Sequence, residues 1–144
     1  MAAEFRSIRM VQFAETDLAG VMHFSNYFRW MEEAEHAFMR SVGMSVVQEQ
    51  AEGTISWPRV TVSCEYFAPA HFENQIELRF KITDLAERSM TYEVEFYRDG
   101  FRIARGRTKA VCCKMASGKF AATAIPPDIR AKIIGGGAGP VATS

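Results

Sequence analysis

The chain has 144 residues, 48% of them hydrophobic, with 17 basic and 17 acidic side chains and no formal net charge. That length and apolar content fit one domain with a substantial core rather than two. The balance of charge excludes a global field that would gather nucleic acid, and no basic run offers a grip on an anionic membrane.

No stretch of about twenty apolar residues occurs, and the opening MAAEFRSIRM has no hydrophobic signal core. The expected location is the cytoplasm, and the expected partner a small molecule or a second copy of the chain. In chain order, residues 8–14 read as a first strand. Residues 24–42 read as a helix of about five turns that ends before Gly43, a residue suited to a left-handed stop. Phe24, Phe28, Met31, Phe38 and Val42 share one face of that helix, and Arg29, Glu33, His36 and Arg40 the other.

A loop of small and polar residues precedes four strand-like runs at 59–67, 75–85, 90–98 and 101–115. Ile76, Leu78, Phe80 and Ile82 alternate with polar residues, as do Tyr92, Val94 and Phe96, so one face of each run packs inward. Asp99-Gly100 marks a tight hairpin. One strand, a long helix and an antiparallel meander predict an α+β layer, the helix lying on one curved sheet. A single layer leaves edges and a second face open, and Tyr97, Arg105, Thr108 and Lys109 mark a surface where a partner would sit. The domain is expected over 1–134, with a mobile Gly-rich tail over 135–144. Cys64, Cys112 and Cys113 form no CxxC pair and are odd in number, which argues against a disulfide framework or a zinc site. Cys64 and Cys113 read as small core residues.

The segment ETDLAGVMHFSNY, from Glu15 to Tyr27, has the layout of a catalytic turn. Asp17 supplies a base or nucleophile, Gly20 lets the backbone turn tightly, and Ser25 or Asn26 caps the helix, whose first N–H groups are free to hold an oxyanion. Thr-Asp-x-x-Gly is equally the signature of an ordinary turn. A second carboxylate is available on the helix: Glu35 projects among Phe28, Met31 and Phe38 on the apolar face, with Glu32 at its border, and burying such a group is costly unless it is paired or functional. His36 falls on the polar face and His71 in a loop, as solvated or hydrogen-bonded residues. Walker-type loops, HExxH helices and GxSxG elbows are absent.

The run from Asp17 through Asn26, Tyr27, Arg29 and Trp30 resembles the hydroxybenzoyl-CoA thioesterase family, acyl-CoA thioesterases of the hotdog fold. The run YFAPAHFENQIELRF, with Tyr66, Pro69 and Ala70 leading into a strand, is similar to that family too, as is Ile125-Pro126-Pro127, so the likeness covers residues 8–133. It implies hydrolysis of acyl-CoA to free acid and CoA, with Asp17 as base or nucleophile, the backbone N–H of Phe24 polarising the carbonyl, and no metal or redox cofactor. His23 stands one position before the histidine of many relatives, which implies a place lining the pocket or packing. A separate branch of the superfamily uses a helix glutamate, which makes Glu32 and Glu35 rivals of Asp17, Glu32 the nearer by spacing. The hairpin Ala86-Glu87-Arg88-Ser89 resembles the one near the CoA phosphates, so Arg88 and Ser89, with Gly20, His23 and Tyr27, are the expected binding residues. Phe24, Tyr27, Met31 and Trp57 are candidates to line the acyl pocket. The resemblance also implies a homodimer or homotetramer with sites between subunits. Two other readings fit the same motif: a thioesterase acting on acyl carrier protein in polyketide or fatty-acid metabolism, and a hotdog module that binds acyl-CoA without turning it over.

Overall fold

The computed structural model describes residues 4–136 and 142–143. Strand β1 (Phe5–Met10) leads through a 3₁₀ turn (Phe13–Glu15) and a tight loop into helix α1 (Phe24–Ser41). Two short strands, β2 (Gln48–Gln50) and β3 (Gly53–Ser56), follow, and then the long meander β4 (Arg59–Tyr66), β5 (Gln75–Leu85), β6 (Ser89–Arg98) and β7 (Phe101–Val111). The chain closes with β8 (Cys113–Ala116), β9 (Lys119–Ala122), α2 (Pro127–Gly135) and β10 (Ala142–Thr143). Six strands form one sheet in the order β10-β1-β5-β6-β7-β4, and β2-β3-β8-β9 form a second. All pairings are antiparallel except β1 with β10.

The α+β layer expected from the sequence is therefore present, with an 18-residue helix packed on an antiparallel sheet. Period-two alternation sends Ile76, Leu78, Phe80 and Ile82 of β5, and Met90, Tyr92, Val94 and Phe96 of β6, toward α1. The helix answers with Tyr27, Trp30, Met31, Ala34, Phe38 and Met39, all buried. Phe38 stacks on Phe80 with centroids 4.8 Å apart, and Tyr27 meets Phe96 edge-on at 5.2 Å. Asp99 and Gly100 both take positive φ, 49° and 81°, which is the twist that a two-residue hairpin needs.

The structure departs from the sequence reading where local side-chain bonds override periodicity. Residues 8–14 do not form one strand: β1 ends at Met10, because the Gln12 N–H donates to Glu15 Oε1 at 2.8 Å and turns the chain off the sheet. The run 101–115 breaks at Cys112, whose N–H donates to the Arg88 carbonyl at 2.7 Å, and the chain then crosses to the second sheet. The stretch read as a loop contains β2 and β3, and α2 starts with Pro127 inside its first turn, where a missing N–H costs nothing. Phe24 is not on the buried face of α1: its side chain is 60% exposed. It is the first helical residue, before the stripe has turned inward. Of the predicted tail, Gly135 ends α2, Gly136 caps it, and 142–143 pair with β1. Residues 137–141 and 144 lie outside the described residues.

One close approach sets how deeply α1 sinks. A Cβ built on Gly106, in the middle of β7, would lie 2.2 Å from Met31 Sδ and 2.6 Å from Met31 Cε. Met31 is buried, so the thioether has little room to retreat. Gly106→Ala is expected to destabilise the fold by about 1–3 kcal/mol through overpacking. Adding Met31→Ala should cost less in that background than in the parent, a non-additivity that urea denaturation of the four proteins would measure. Additive losses would place the contact elsewhere.

Candidate active site

Glu15 builds the turn that carries Asp17. Its side chain is 15% exposed; Oε1 takes the Gln12 N–H, and Oε2 takes Trp30 Nε1–H at 2.7 Å and Arg9 Nη2 at 3.2 Å. Its backbone carbonyl accepts from the His23 N–H and from Asn26 Nδ2–H, both at 2.8 Å. Arg9 also reaches Glu33 at 3.0 Å and lies over the Trp30 ring. One residue thus joins the end of β1, the loop and the first two turns of α1. Nothing local in the sequence announces this, because its partners lie 3 to 15 positions away.

The loop is a small hairpin. Thr16 pairs with Met22, the Asp17 N–H donates to the Val21 carbonyl at 2.9 Å, and the Gly20 N–H donates to the Asp17 carbonyl at 2.9 Å. Gly20 has φ of 81°, which a side chain would resist. Asp17 Oδ1 accepts from the Ala19 N–H at 2.9 Å, closing an Asx turn, and from Val21 at the looser 3.5 Å. The carboxylate is half-buried, and among the described residues no hydrogen bond takes its Oδ2. The turn therefore fixes one carboxylate oxygen and leaves the other for a further partner.

The helix is capped by His23, not by Ser25 or Asn26. His23 Nδ1 accepts from the Ser25 N–H at 3.2 Å and lies 2.7 Å from Ser25 Oγ, and its ring stacks on Phe24. With its ring nitrogen acting as the cap, Ser25 falls inside the first turn. The Phe24 N–H is one of the orphan donors that open a helix, and among the described residues it has no acceptor. Its carbonyl takes the Tyr66 hydroxyl at 3.0 Å, tying β4 to the same end of α1. Tyr27 is buried in the core, its ring against Tyr66 and Phe96, rather than open at this end of the helix.

Glu32 and Glu35 lie farther along α1, roughly 12 and 16 Å from Phe24 at 1.5 Å per residue. Glu35 is fully buried. Its Oε1 is bonded to Arg59 Nη2, while Oε2 has no hydrogen-bond partner. Arg59 also donates through Nη1 to the Trp57 carbonyl at 2.7 Å and lies 3.5 Å from Glu32. Burial pushes the Glu35 carboxyl up to about 7, Arg59 holding it down and Glu32 adding to the rise. Burial also lowers the neighbouring His36 below its ordinary value. Trp57 is buried, its indole N–H donating to Gln48 Oε1 at 2.9 Å.

Arg88 and Ser89 are not brought to Asp17 within one chain. The Asp17 loop sits at the start of β5, where Val11 N–H meets the Asn74 carbonyl and Met22 N–H the Ala70 carbonyl. Arg88 follows the other end of that strand, about 30 Å away at 3.3 Å per residue. Arg88 is exposed. Ser89 is buried as the first residue of β6. Arg130 of α2 steadies their turn, donating to the carbonyls of Leu85 at 3.5 Å and Glu87 at 3.3 Å.

The raised Glu35 carboxyl makes a stability prediction. The folded chain holds this proton more tightly than the unfolded chain, where the group titrates near 4.5. Its contribution is therefore greatest below the unfolded value and falls as pH rises toward about 7. Glu35→Gln has no proton to lose, so its stability relative to the parent should improve by about 3 kcal/mol across that window. Paired thermal melts at mildly acidic and neutral pH would check the sign, and a constant difference would refute it.

A family model described as the thioesterase-like superfamily matches residues 11–133. A putative esterase of Aquifex aeolicus is 31% identical over 121 residues, 84% of this chain and 91% of that protein. A 1,4-dihydroxy-2-naphthoyl-CoA hydrolase of Synechocystis is 29% identical over 115 residues, 78% of this chain and 83% of the hydrolase. Among solved structures, a gentisyl-coenzyme A thioesterase superposes with a TM-score of 0.77 at 30% identity, covering 89% of this chain and 98% of that one. The matched span holds the Glu15-pinned turn, α1 and the whole antiparallel meander, and on that breadth the chain belongs to the thioesterase-like superfamily with the hotdog fold.

Proposed function

We propose that this protein is an acyl-CoA thioesterase that releases a free acid and CoA, with Asp17 and the Phe24 N–H as its reacting groups. The observation that carries the reading is one rigid turn holding both a carboxylate with a free oxygen and a helix N-terminus with a free donor. Relatives and structural neighbours named as hydrolases of CoA thioesters support the substrate class. Asp17 either takes a proton from water as that water attacks the thioester carbon, or attacks the carbon itself to form a mixed anhydride that water then opens. The carbonyl oxygen gains negative charge in either route, and the Phe24 N–H, aligned with the α1 dipole, holds it. The tetrahedral centre collapses with loss of the CoA thiolate, which takes up a proton.

The working unit in this reading is a homodimer, or a homotetramer made of two dimers, with its long helix lodged in the concave side of the sheet. Strand β4 is a sheet edge and leaves Val60, Val62, Tyr66 and Phe67 exposed, a surface that a second copy would cover. The separation of Asp17 from Arg88 along β5 argues in the same direction: a CoA reaching both would take Asp17 from one subunit and Arg88 from another. The domain of 1–134 is the catalytic unit, placed in the cytoplasm where acyl-CoA is formed and its three cysteines stay free.

Asp17→Asn should fold and bind acyl-CoA, yet lose roughly 100-fold or more in turnover, read by free-thiol release. Glu32→Gln and Glu35→Gln should lose far less; collapse in either, with Asp17→Asn active, moves the chemistry onto the helix. Arg88→Ala should raise KM with kcat nearly unchanged. Mixed subunits decide how the site is divided. Co-refolding Asp17→Asn with Arg88→Ala should regenerate one fully wild-type site per heterodimer, and activity at low substrate that never exceeds the average of the two parents would assign both residues to a single chain.

A further inference from the structure

The buried carboxylate Glu35 has one oxygen on Arg59 and the other without a partner, at a place where four elements meet. A cleft of about 260 Å³ opens above it, lined by Phe28 and Glu32 of α1, Arg59 and Val62 of β4, Tyr92 of β6 and Thr108 of β7. Arg29 stands at the rim. Its walls run past each other in opposite directions. At one end the Tyr66 hydroxyl reaches the Phe24 carbonyl; at the other, Arg59 reaches Glu32 and Glu35. Phe28 and Val62 form an apolar middle. The groove therefore reads polar, apolar, polar over roughly 12 Å of helix.

We propose that this groove between α1 and β4 is the acyl subsite, and that its far end recognises a carboxylate on the tip of a medium-length acyl chain, with Arg59 as the recognising group and Glu35 as the residue that positions it. The inference rests on the thioesterase reading, which puts the reacting carbonyl at Phe24. The far end sets the donors of Arg59, Tyr92 and Thr108 beside the carboxylates of Glu32 and Glu35. Arg59 uses Nη2 for Glu35 and one N–H of Nη1 for Trp57, and among the described residues its Nε–H and remaining Nη1–H are unengaged. Burial and the nearby Glu35 raise the Tyr92 phenol, so it too keeps its proton and stays a donor beside the Thr108 hydroxyl. Both planar forks of the guanidinium run through Nη2, which Glu35 and Glu32 take, so a ligand carboxylate would meet the Nε–H or the remaining Nη1–H as a single charge-assisted donor held in place by the buried partner.

The charge of that end depends on Glu35. The groups facing it are Arg59 from β4, Glu32 and His36 from α1, and Tyr92 from β6, with the uncharged Thr108 from β7. When Glu35 is ionised, Arg59 is neutralised and a second carboxylate is unwelcome. When Glu35 takes up a proton, near neutrality by its burial, the guanidinium charge is left to be shared between Glu32 and the ligand. Burial holds His36 below its ordinary value.

The test compares decanedioyl-CoA with decanoyl-CoA, which share every CoA group and differ only at the chain tip. Binding by calorimetry and thiol release are followed from about pH 6 to about pH 8, the range over which Glu35 changes charge. The dicarboxylic chain should bind roughly ten-fold more tightly at the acid end, the scale of one charge-assisted contact, and lose that advantage as pH rises. Glu35→Gln should keep the preference and flatten its pH dependence, which a purely structural role for Glu35 would not do. The double variant Arg59→Met with Glu35→Met, which leaves no unpaired buried charge, should abolish the preference. Equal binding of the two thioesters by the wild-type protein at every pH overturns the inference, whether or not the variants fold. Preferential binding of decanedioyl-CoA without any thiol release would uphold the groove assignment and overturn the thioesterase reading instead.

Discussion

The carboxylate and carbonyl of Glu15 hold together everything on which the site depends. A carboxylate that is 15% exposed is tolerated because a backbone N–H, an indole N–H and a guanidinium all approach it, so the desolvation of the charge is offset by charge-assisted bonds. The residue's carbonyl meanwhile takes two further donors from the start of α1. Removing the side chain would leave the Trp30 N–H in want of an acceptor and Arg9 with Glu33 alone, and the loop carrying Asp17 would lose its only tie to β1 through a side chain among the described residues. In the proposed mechanism the free Asp17 oxygen and the free Phe24 N–H depend on this net to hold their backbones still.

Glu35 stands in the opposite energetic situation. It has one strong partner rather than three, no solvent, and a second oxygen that nothing satisfies, so its charge is only half stabilised. Such a group costs stability as it ionises, and a core of Leu or Met in its place would be the cheaper construction. The two glutamates, one tied to the first two turns of α1 and the other about three turns along it, thus divide the molecule into a rigid end and a tunable end. The helix between them is held at its depth by Gly106 and by the Phe38, Phe80 and Tyr92 rings.

Much of the architecture was legible because it follows local periodicity. β5 runs over Gln75–Leu85 as its alternation requires, the Asp99-Gly100 turn falls where its chemistry puts it, and α1 begins and ends within a residue of its pattern. The likeness around Asp17 and Tyr27 likewise pointed to the superfamily that the family model matches. What stayed hidden depends on partners distant in sequence. Glu15 looks like any acidic loop residue until Arg9 and Trp30 are beside it, and Arg59 looks like a strand-end arginine until Glu35, 24 positions earlier, is seen beneath it. The buried position of Glu35 was readable from helical spacing, but its unsatisfied oxygen was not. His23 as a cap escaped notice because imidazole is an unusual cap, while Ser25 and Asn26 are common ones. β2 and α2 lack the apolar alternation or stripe that would have announced them.

The clamp of Arg130 on the Leu85 and Glu87 carbonyls, together with the Ile125 N–H on the latter, has a consequence for how the protein is made. During synthesis the Asp17 turn finds all its partners once the ribosome has released the start of β5, because the net draws on residues no later than Asn74. The Arg88 turn waits longer, since the side chain that fastens it, Arg130, lies 45 positions beyond Leu85. The Asp17 half of the proposed site is therefore settled while later strands of the meander have yet to emerge. The other half is settled only once α2 has emerged, so a nascent chain stalled before α2 would display a finished Asp17 turn and an unfastened Arg88 turn.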